Sequence, residues 1–545
     1  MVEASGLSGG SPVRASTDLL RATGGPAAGL ELEIDDALLL GRTIAASERI
    51  AVDPELSRRH AEILRERDGS LVIQDLGSLN GTWVNGARAE RQVLKAGDRI
   101  KVGATTFELV RAVARSRLYD DELLHPWYEH AVKSLAAGPE LLDFHTHTGF
   151  NDPDGFRFSP DQLIATLAAA EARGVVIPMH EPDGYPQAND RVIAEAAASD
   201  GRLVAFCRLD PKSRPVPEAE RCVAGGACGI KLHPRAEEFQ LSDPEVEPIF
   251  ALAHETRLPI LIHAGRGIPT LAQDAVALAE RYPAAPIVLA HGAICDLNWL
   301  WRVVPRHRNL FIDTAWWHPD DLAAVFALIP PGQLLFGSDL PYFTPFMSAT
   351  MAVRFGLQAG LSVGQLGGIL GAQSQRLLNR EEPLDLGPPP GPERLGYSIL
   401  LERLTSLLVL AVGRMLMGRT GYEPLALSRL ACNVGSDDAP ESGACRNVLA
   451  LLEGQEAFAR AHPRDGPPLA SGIRAIMLAA CISRTPDVPL PDVADLILGK
   501  ELQAEAAAGH RSFAETRLRH VPREVRPDLR RSSAADHLLI DPSDE

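Results

Sequence analysis

The chain has 545 residues, 45% of them hydrophobic and 23% charged, which is typical of a soluble globular protein with about three or four domains. Its net charge of −17 argues against a general nucleic-acid binder, because an acidic surface is repelled by the phosphate backbone. The first residues do not have the pattern of a secretory signal, and no apolar run reaches the roughly 18 residues that span a bilayer. The seven scattered cysteines form no CxxC pair. We therefore expect a cytoplasmic protein with no membrane partner.

Residues 15–115 alternate short apolar runs with turns rich in Gly, Asp and Asn. Strands this short at such regular spacing predict an all-β sandwich. Three loop motifs occur in this segment, namely GR at 41–42, SRRHA at 57–61 and SLNGTWVNG at 78–86.

This module resembles the forkhead-associated (FHA) family, whose hallmark is that series of motifs. The resemblance implies that Arg42 and Ser57 bind a phosphothreonine phosphate, that Arg58 assists, and that Asn80 holds the backbone of the bound peptide. An arginine and hydroxyl donors suit a phosphate, which carries close to two negative charges and strong acceptor oxygens. The implied partner is a protein that contains phosphothreonine. The alternative is a sandwich that has kept its loops and lost its ligand.

Residues 116–139 have the periodicity of one amphipathic helix, which ends near Gly138-Pro139. We interpret this segment as a connector without chemistry of its own.

Residues 140–380 alternate apolar strand-like runs with amphipathic helical stretches. The predicted strands end near His147, Met179, Leu209, His233, His263, His291, Asp313 and Asp339. Eight strands with intervening helices have the size and rhythm of a (β/α)8 TIM barrel. In that fold the catalytic residues lie at the C-terminal ends of the strands.

Ionisable residues occupy several of these strand ends. His145 and His147 are two residues apart, so on one strand their side chains point to the same side. The others are Lys231 on strand four, His263 on strand five, His291 on strand six and Asp339 on strand eight. Each side chain would be costly to bury alone, and a shared metal ion supplies a common partner.

The same segment resembles the amidohydrolase superfamily, on the motifs HTH at 145–147, GIKLHP at 229–234, LIHAG at 261–265 and GSDLP at 337–341. The resemblance implies that zinc or a similar divalent ion is bound by His145, His147, His263 and Asp339. It also implies that Asp339 transfers the proton of the attacking water. His291 is either a ligand to a second metal or a hydrogen-bond partner of the water or substrate. Lys231 is either carboxylated and bridges two metals, or unmodified beside one, and we place it with Asp339 and His291 among the catalytic residues.

Four further residues are candidates for substrate binding. Arg235 and Arg266 follow strands four and five, where they either clamp a carboxylate or phosphate on the substrate or are solvated loop residues. Trp316 and Trp317 follow strand seven and are expected to wall the pocket.

Residues 381–394 contain five prolines and are predicted to form a stiff linker. Residues 395–545 have helical patterns, one of them at 491–507, and we predict an all-α region whose tail, residues 511–545, is partly disordered. Binding a partner and a purely structural cap are equally compatible with this tail.

The sequence therefore predicts a multidomain protein with an N-terminal β-sandwich, a central α/β barrel and a C-terminal α-helical region. We expect a metal-dependent hydrolase that acts on an amide, lactone or ester of a small, anionic substrate, joined to a phosphothreonine-binding module. One alternative is a non-oxidative decarboxylase that uses the same ligands. Another is a catalytically inactive, phospho-dependent scaffold.

Overall fold

The computed structural model describes residues 16–27, 31–34, 37–42, 53–66, 70–113, 121–135, 140–152, 156–265, 267–396, 398–436, 438–461 and 472–491. Packing divides the chain into two units, Met1–Leu490 and Pro491–Glu545, and every helix and strand given below lies in the first. Among the described residues, no helix combines the length and apolarity needed to cross a bilayer. The seven cysteines are free thiols, and five of them are buried.

The N-terminal module is a sandwich of two antiparallel sheets. Its strands are β1 (Ser16–Gly24), β2 (Glu31–Glu33), β3 (Ala37–Leu40), β4 (Ala61–Arg65), β5 (Leu71–Asp75), β6 (Thr82–Val84), β7 (Ala87–Ala89), β8 (Arg91–Leu94), β9 (Arg99–Val102) and β10 (Thr105–Val113). One sheet has the order β2-β1-β10-β9-β6-β7 and the other the order β3-β4-β5-β8. In β9, exposed and buried residues alternate, and the buried side chains of the two sheets form one core that includes Ile63, Ile73 and Phe107.

Helix α1 (Asp121–Lys133) follows the sandwich and packs against the central barrel. The Tyr128 hydroxyl donates a hydrogen bond to the Ala170 carbonyl, and the Tyr128 ring meets Phe346 edge to face at 5.1 Å. The predicted connector helix is therefore anchored on the barrel by an aromatic side chain.

The eight predicted parallel strands are present in sequential order, which confirms the predicted barrel. They are β11 (Leu141–Thr148), β12 (Ala172–Pro178), β13 (Leu203–Arg208), β14 (Gly229–Leu232), β15 (Ile260–Ile262), β16 (Ile287–Leu289), β17 (Leu310–Asp313) and β18 (Leu334–Leu335). Strand β11 pairs with the segment that follows β18, through a hydrogen bond from Phe144 N–H to Phe336 O at 2.8 Å and a parallel bridge between Thr146 and Leu340. All eight residues of β11 are buried, as expected for a strand that helices cover.

Helices surround the strands. They are α2 (Pro160–Ala169), α3 (Pro186–Ala198), α4 (Pro215–Ala224), α5 (Glu247–Thr256), α6 (Leu271–Arg281), α7 (Leu297–Leu300), α8 (Pro319–Leu328), α9 (Pro345–Ala359), α10 (Val363–Gly367) and α11 (Gln373–Leu378). A capping box at Ser159 and Gln162 starts α2, because the serine hydroxyl and the glutamine side chain satisfy amide groups that the helix leaves free.

The proline-rich segment 381–394 lies on the barrel and is not a free spacer. The Leu384 N–H donates to Gln373 Oε1 at 2.8 Å, and Gln365 Nε2 donates to the Leu386 carbonyl at 2.9 Å. The Gly391 N–H reaches the Ala327 carbonyl at 2.9 Å. Extended backbone has no internal hydrogen bonds, so its polar groups are available for these contacts.

The predicted C-terminal helices are α12 (Ile399–Leu416), α13 (Tyr422–Ala431), α14 (Ser442–Ala461) and α15 (Ile473–Arg484). Helix α15 is buried from Ile473 through Ser483 and packs against α12, α14 and the barrel helix α9. A helix that is apolar on every side is expected to be enclosed by other helices. The described residues end at Pro491. They therefore exclude the rest of the predicted helix at 491–507 and the predicted disordered tail at 511–545.

Candidate functional site

The end of β11 carries two buried imidazoles that face the barrel interior. The rings of His145 and His147 lie 5.0 Å apart, and their Nε2 atoms lie 3.3 and 3.2 Å from Oδ1 of Asp339, which follows β18. The candidate ligand atoms of these three residues all lie within 4.8 Å of one another. Two imidazole nitrogens and a carboxylate oxygen are donors that divalent transition metals accept, so this group can hold a metal ion.

The backbone also ties Asp339 to the histidine strand. The Asp339 N–H donates to the His145 carbonyl and the His147 N–H to the Leu340 carbonyl, both at 2.8 Å. Asp339 has a φ of 59°, a left-handed conformation that is unfavourable for a residue other than glycine. Such strain persists where the surroundings fix the backbone, and it occurs often at functional sites.

Asp313, the last residue of β17, fixes the tautomer of His145. Its Oδ2 lies 2.8 Å from His145 Nδ1, so this nitrogen carries the proton and Nε2 keeps its lone pair. Burial, and then Lys231, lower the pKa of His145 well below its ordinary value and keep the ring neutral. A neutral imidazole whose other nitrogen donates to a carboxylate is the form that binds a metal.

Asp313 was not among the site residues predicted from the sequence. Its Oδ1 also accepts the backbone N–H groups of His291 at 2.7 Å and Ala315 at 3.0 Å, and burial raises its pKa to about 7. The sequence did contain a sign of this role, because Asp313 is an acidic residue at the end of strand seven. That strand lies beside strand eight, which precedes Asp339. Asp313 thus links strand β11 to the loops that follow β16 and β17.

The motif loops of the sandwich meet at one end of the module. The Arg42 N–H donates to the Ser57 carbonyl at 3.0 Å, and the Ser57 hydroxyl accepts the Leu79 N–H at 3.0 Å. Asn80 Nδ2 donates to the Glu55 carbonyl at 2.7 Å. The side chains of Arg42, Arg58 and Asn80 are exposed. This end therefore presents two guanidinium groups, a hydroxyl and an amide to solvent.

Family comparisons agree with both sites, because an FHA domain profile matches residues 38–103 and an Amidohydrolase profile matches residues 143–380. The chain joins an FHA domain to an amidohydrolase domain. Together the two matches account for the sandwich loops and for the strand ends that bring His145, His147 and Asp339 together.

The FHA domain is similar to two curated bacterial proteins. The oxoglutarate dehydrogenase inhibitor of Corynebacterium diphtheriae is 39% identical over 79 residues, which cover 14% of this chain and 54% of that protein. The glycogen accumulation regulator GarA of Mycobacterium tuberculosis is 34% identical over 117 residues, which cover 22% of this chain and 70% of that protein. The chain thus spans about half the length of the first relative.

A solved structure similar to the amidohydrolase domain is the 5-carboxyvanillate decarboxylase of Sphingomonas paucimobilis. It is 15% identical, covers 44% of this chain and 99% of its own, and has a TM-score of 0.37.

Two further histidines of the amidohydrolase domain lie beside the three-donor group. His291 Nδ1 donates to the Ala315 carbonyl at 3.0 Å and lies 3.9 Å from Asp339 Oδ2. His291 Nε2 therefore accepts from His263 Nδ1 at 2.9 Å, and the His263 ring stacks on His233 at 3.8 Å. His291 borders Asp339 directly, whereas His263 connects through His291 and lies outside the three-donor group. The ligand role of His263 stays a prediction.

Lys231 is buried at the centre of the site, and its Nζ lies 2.8 Å from His145 Nε2. Burial lowers its pKa to about 8. Arg208, which pairs with Lys231 on the adjacent strand β13, forms a buried ion pair with Glu237 at 2.7 Å. Arg208 and Glu237 were not predicted from the sequence, because neither residue belongs to a recognisable motif.

The predicted substrate residues differ in their positions. Trp316 is half-buried with its ring 6.4 Å from His291, and Trp317 is buried with its ring 6.3 Å from Trp316. The Arg235 side chain is exposed, and Arg266 lies outside the described residues. Trp316 therefore borders His291, one of the candidate ligands.

Proposed function

We propose that the amidohydrolase domain is a metal-dependent hydrolase that cleaves an amide, lactone or ester bond in a small-molecule substrate. The observation that carries the proposal is the convergence of Asp339 with His145 and His147, which precede it by almost 200 residues in the chain. The candidate ligand atoms of the three residues lie within 4.8 Å of one another. These residue types in a buried strand-end site fit a zinc or similar divalent ion.

His145, His147 and Asp339 would hold the ion, with His263 and His291 as further candidate ligands. A bound divalent ion lowers the pKa of a water molecule and polarises the substrate carbonyl. Asp313 keeps His145 in the neutral tautomer, with its Nε2 lone pair directed into the site. Lys231 lies beside the same nitrogen and supplies either a cation or, once carboxylated, a further ligand.

The proton path uses Asp339. Its Oδ1 faces the two imidazoles, and its Oδ2 lies 3.9 Å from His291. We assign to Oδ2 the proton of the attacking water, which it returns to the leaving group. His291 lies beside Asp339 Oδ2 and would help to orient the attacking water there. Trp316, which lies next to His291, and the adjacent Trp317 would exclude bulk water.

The test begins with metal analysis of the full chain and continues with a screen of lactones, cyclic amides, esters and aromatic carboxylic acids. We expect a bound divalent metal and a hydrolysed substrate, with turnover lost in His145→Ala and Asp339→Asn. The matched control is Asp274→Asn, which changes a carboxylate on the outer helix α6 in the same way. An empty site under metal-replete conditions would favour the inactive scaffold, and release of carbon dioxide from an aromatic acid would assign a decarboxylase.

We also infer that the FHA domain binds phosphothreonine in a partner protein and so targets or regulates the enzyme. Arg42 and Ser57 are adjacent through a backbone hydrogen bond, and the Arg42 guanidinium is exposed. Arg58, which follows Ser57 in the chain, is also exposed. A phosphate group accepts charge-assisted hydrogen bonds from such donors, whereas an unphosphorylated threonine has no negative charge for the guanidinium groups to bind.

The binding test compares phosphorylated and unphosphorylated threonine peptides with the full chain by fluorescence anisotropy. We expect Arg42→Ala to remove the preference for the phosphorylated peptide. The control is Arg59→Ala, which deletes another exposed arginine of the 57–61 motif to which the FHA resemblance gives no contact. Equal affinity of the wild type for both peptides would contradict the inference.

A further inference from the structure

The C-terminal helix α15 reaches the loop that carries Asp339. Arg474, the second residue of α15, is 4% exposed, and its Nη2 donates to the carbonyls of Pro341 at 2.9 Å and Tyr342 at 3.1 Å. These carbonyls lie two and three residues after Asp339 in the chain. A side chain from outside the barrel strands therefore holds the backbone next to the candidate metal ligand.

The loop held in this way forms one wall of the site. Its turn is closed by a hydrogen bond from the Tyr342 N–H to the Asp339 carbonyl at 2.9 Å. The Tyr342 ring meets His147 edge to face at 6.0 Å and Phe156 at 4.4 Å. A shift of the Tyr342 backbone would therefore move both the turn that begins at Asp339 and a ring that contacts the second histidine.

Two physical effects make the contact consequential. Buried carbonyls without donors are costly, by about 1–3 kcal/mol each, so the loop relaxes if the guanidinium is lost. Asp339 also has a left-handed backbone, with a φ of 59°, which must be fixed by its surroundings. A planar guanidinium that spans two successive carbonyls is suited to this, because its donors have a fixed geometry.

We propose that Arg474 is a positioning residue for the metal centre, and that the C-terminal helices complete the active site by holding the loop after Asp339. This inference rests on the proposed metal centre. It gives the helical region a role in the chemistry of the barrel, although none of its residues belongs to the ligand group.

The chain offers a matched control in a second arginine that links the same two elements. Arg354 of α9 is 2% exposed and donates to the carbonyls of Thr485 at 2.7 Å and Pro489 at 3.0 Å, which follow α15. Both arginines join the barrel to α15 through buried carbonyls. Of the two arginines, only Arg474 contacts the loop after Asp339. Comparing a variant of each arginine therefore separates an effect on the position of this loop from an effect on the packing of α15 against the barrel.

The experiment compares full-length Arg474→Ala, Arg474→Lys and Arg354→Ala with the wild type. Zinc affinity is measured by chelator competition, and hydrogen exchange is followed in the peptide that contains Tyr342. We expect Arg474→Ala to weaken zinc binding about 10–100-fold, as for other groups that orient metal ligands. In Arg474→Ala we also expect faster hydrogen exchange at Tyr342 and a partial recovery of zinc affinity when guanidinium is added. Arg474→Lys should have a zinc affinity between those of Arg474→Ala and the wild type. Arg354→Ala should keep wild-type zinc affinity even where its unfolding temperature falls.

The outcomes separate this inference from the proposed function. A wild type that binds neither zinc nor another divalent transition metal would refute the metal centre, and the exchange data would still show whether Arg474 holds the loop. Wild-type zinc affinity and exchange in Arg474→Ala would refute the inference alone, as would equal zinc losses in Arg474→Ala and Arg354→Ala. If Arg474→Ala does not fold, Arg474→Lys and Arg354→Ala are compared in the same two measurements.

Discussion

Replacing Asp313 with asparagine should weaken metal binding without unfolding the barrel. The carboxylate uses Oδ1 to accept the N–H groups of His291 and Ala315, and Oδ2 to accept His145 Nδ1–H at 2.8 Å. In Asp313→Asn the amide oxygen keeps the two backbone bonds, and the amide nitrogen then faces His145 Nδ1. Two donors cannot share that contact, so the imidazole proton moves to Nε2, the nitrogen that faces Asp339.

The size of the effect follows from this change of tautomer. Loss of a partner that orients a metal-binding histidine costs about 10–100-fold in metal affinity, equal to about 1.4–2.7 kcal/mol. Stability should change much less, because burial raises the pKa of Asp313 to about 7 and a neutral amide avoids burying a charge. The expected signature is thus weaker metal binding at a nearly unchanged unfolding temperature.

Chelator competition with the full chain measures the affinity, and calorimetry measures the unfolding temperature. Asp274→Asn is the control, because Asp274 accepts a hydrogen bond from the Thr270 hydroxyl on the outside of the barrel at 2.9 Å. Wild-type metal affinity in Asp313→Asn would refute the tautomer argument. A similar loss in Asp274→Asn would show that the effect is not specific to the site.

Three further predictions concern stability. Burial raises the pKa of Glu195 from 4.5 to about 7, so this carboxyl group binds more protons in the folded protein than in the unfolded chain between these values. Its contribution to the unfolding free energy therefore falls by up to about 3 kcal/mol as the pH rises through them. Glu195→Gln should make the pH dependence in denaturant titrations shallower by this amount, and parallel wild-type and variant curves would contradict the prediction. Gly371→Ala places a Cβ against the Glu140 carbonyl at the entry to β11 and should lower the unfolding free energy by about 1–3 kcal/mol in the same titration. Gly364→Ala places its Cβ in open space on a helix and should raise the unfolding free energy by about 0.5–1 kcal/mol. Phe144→Ala removes a fully buried ring from the barrel core and should cost about 3–5 kcal/mol, and a loss below about 1 kcal/mol would show that the core is loosely packed.

Local sequence patterns were enough to predict the two folds. The regular short strands between turns predicted the sandwich, and the alternation of apolar runs with helical stretches predicted the order of the eight barrel strands. His145 and His147 were predictable as a pair because residues two apart on a strand share a face. Asp339 was predictable as their partner through the motif after strand eight, and the structure brings the three residues together.

The contacts that adjust the site were not predictable in this way. Asp313 and His145 are 168 positions apart, and Arg474 and Pro341 are 133 apart, so neither pairing leaves a periodic trace in the chain. The sequence alone determined which faces are buried and which strand ends carry ionisable groups, because both depend on the local backbone period. Which of those groups share a proton, and which distant arginine holds the loop, was decided only when the barrel closed and α15 packed against it, because these contacts require elements far apart in the chain to meet.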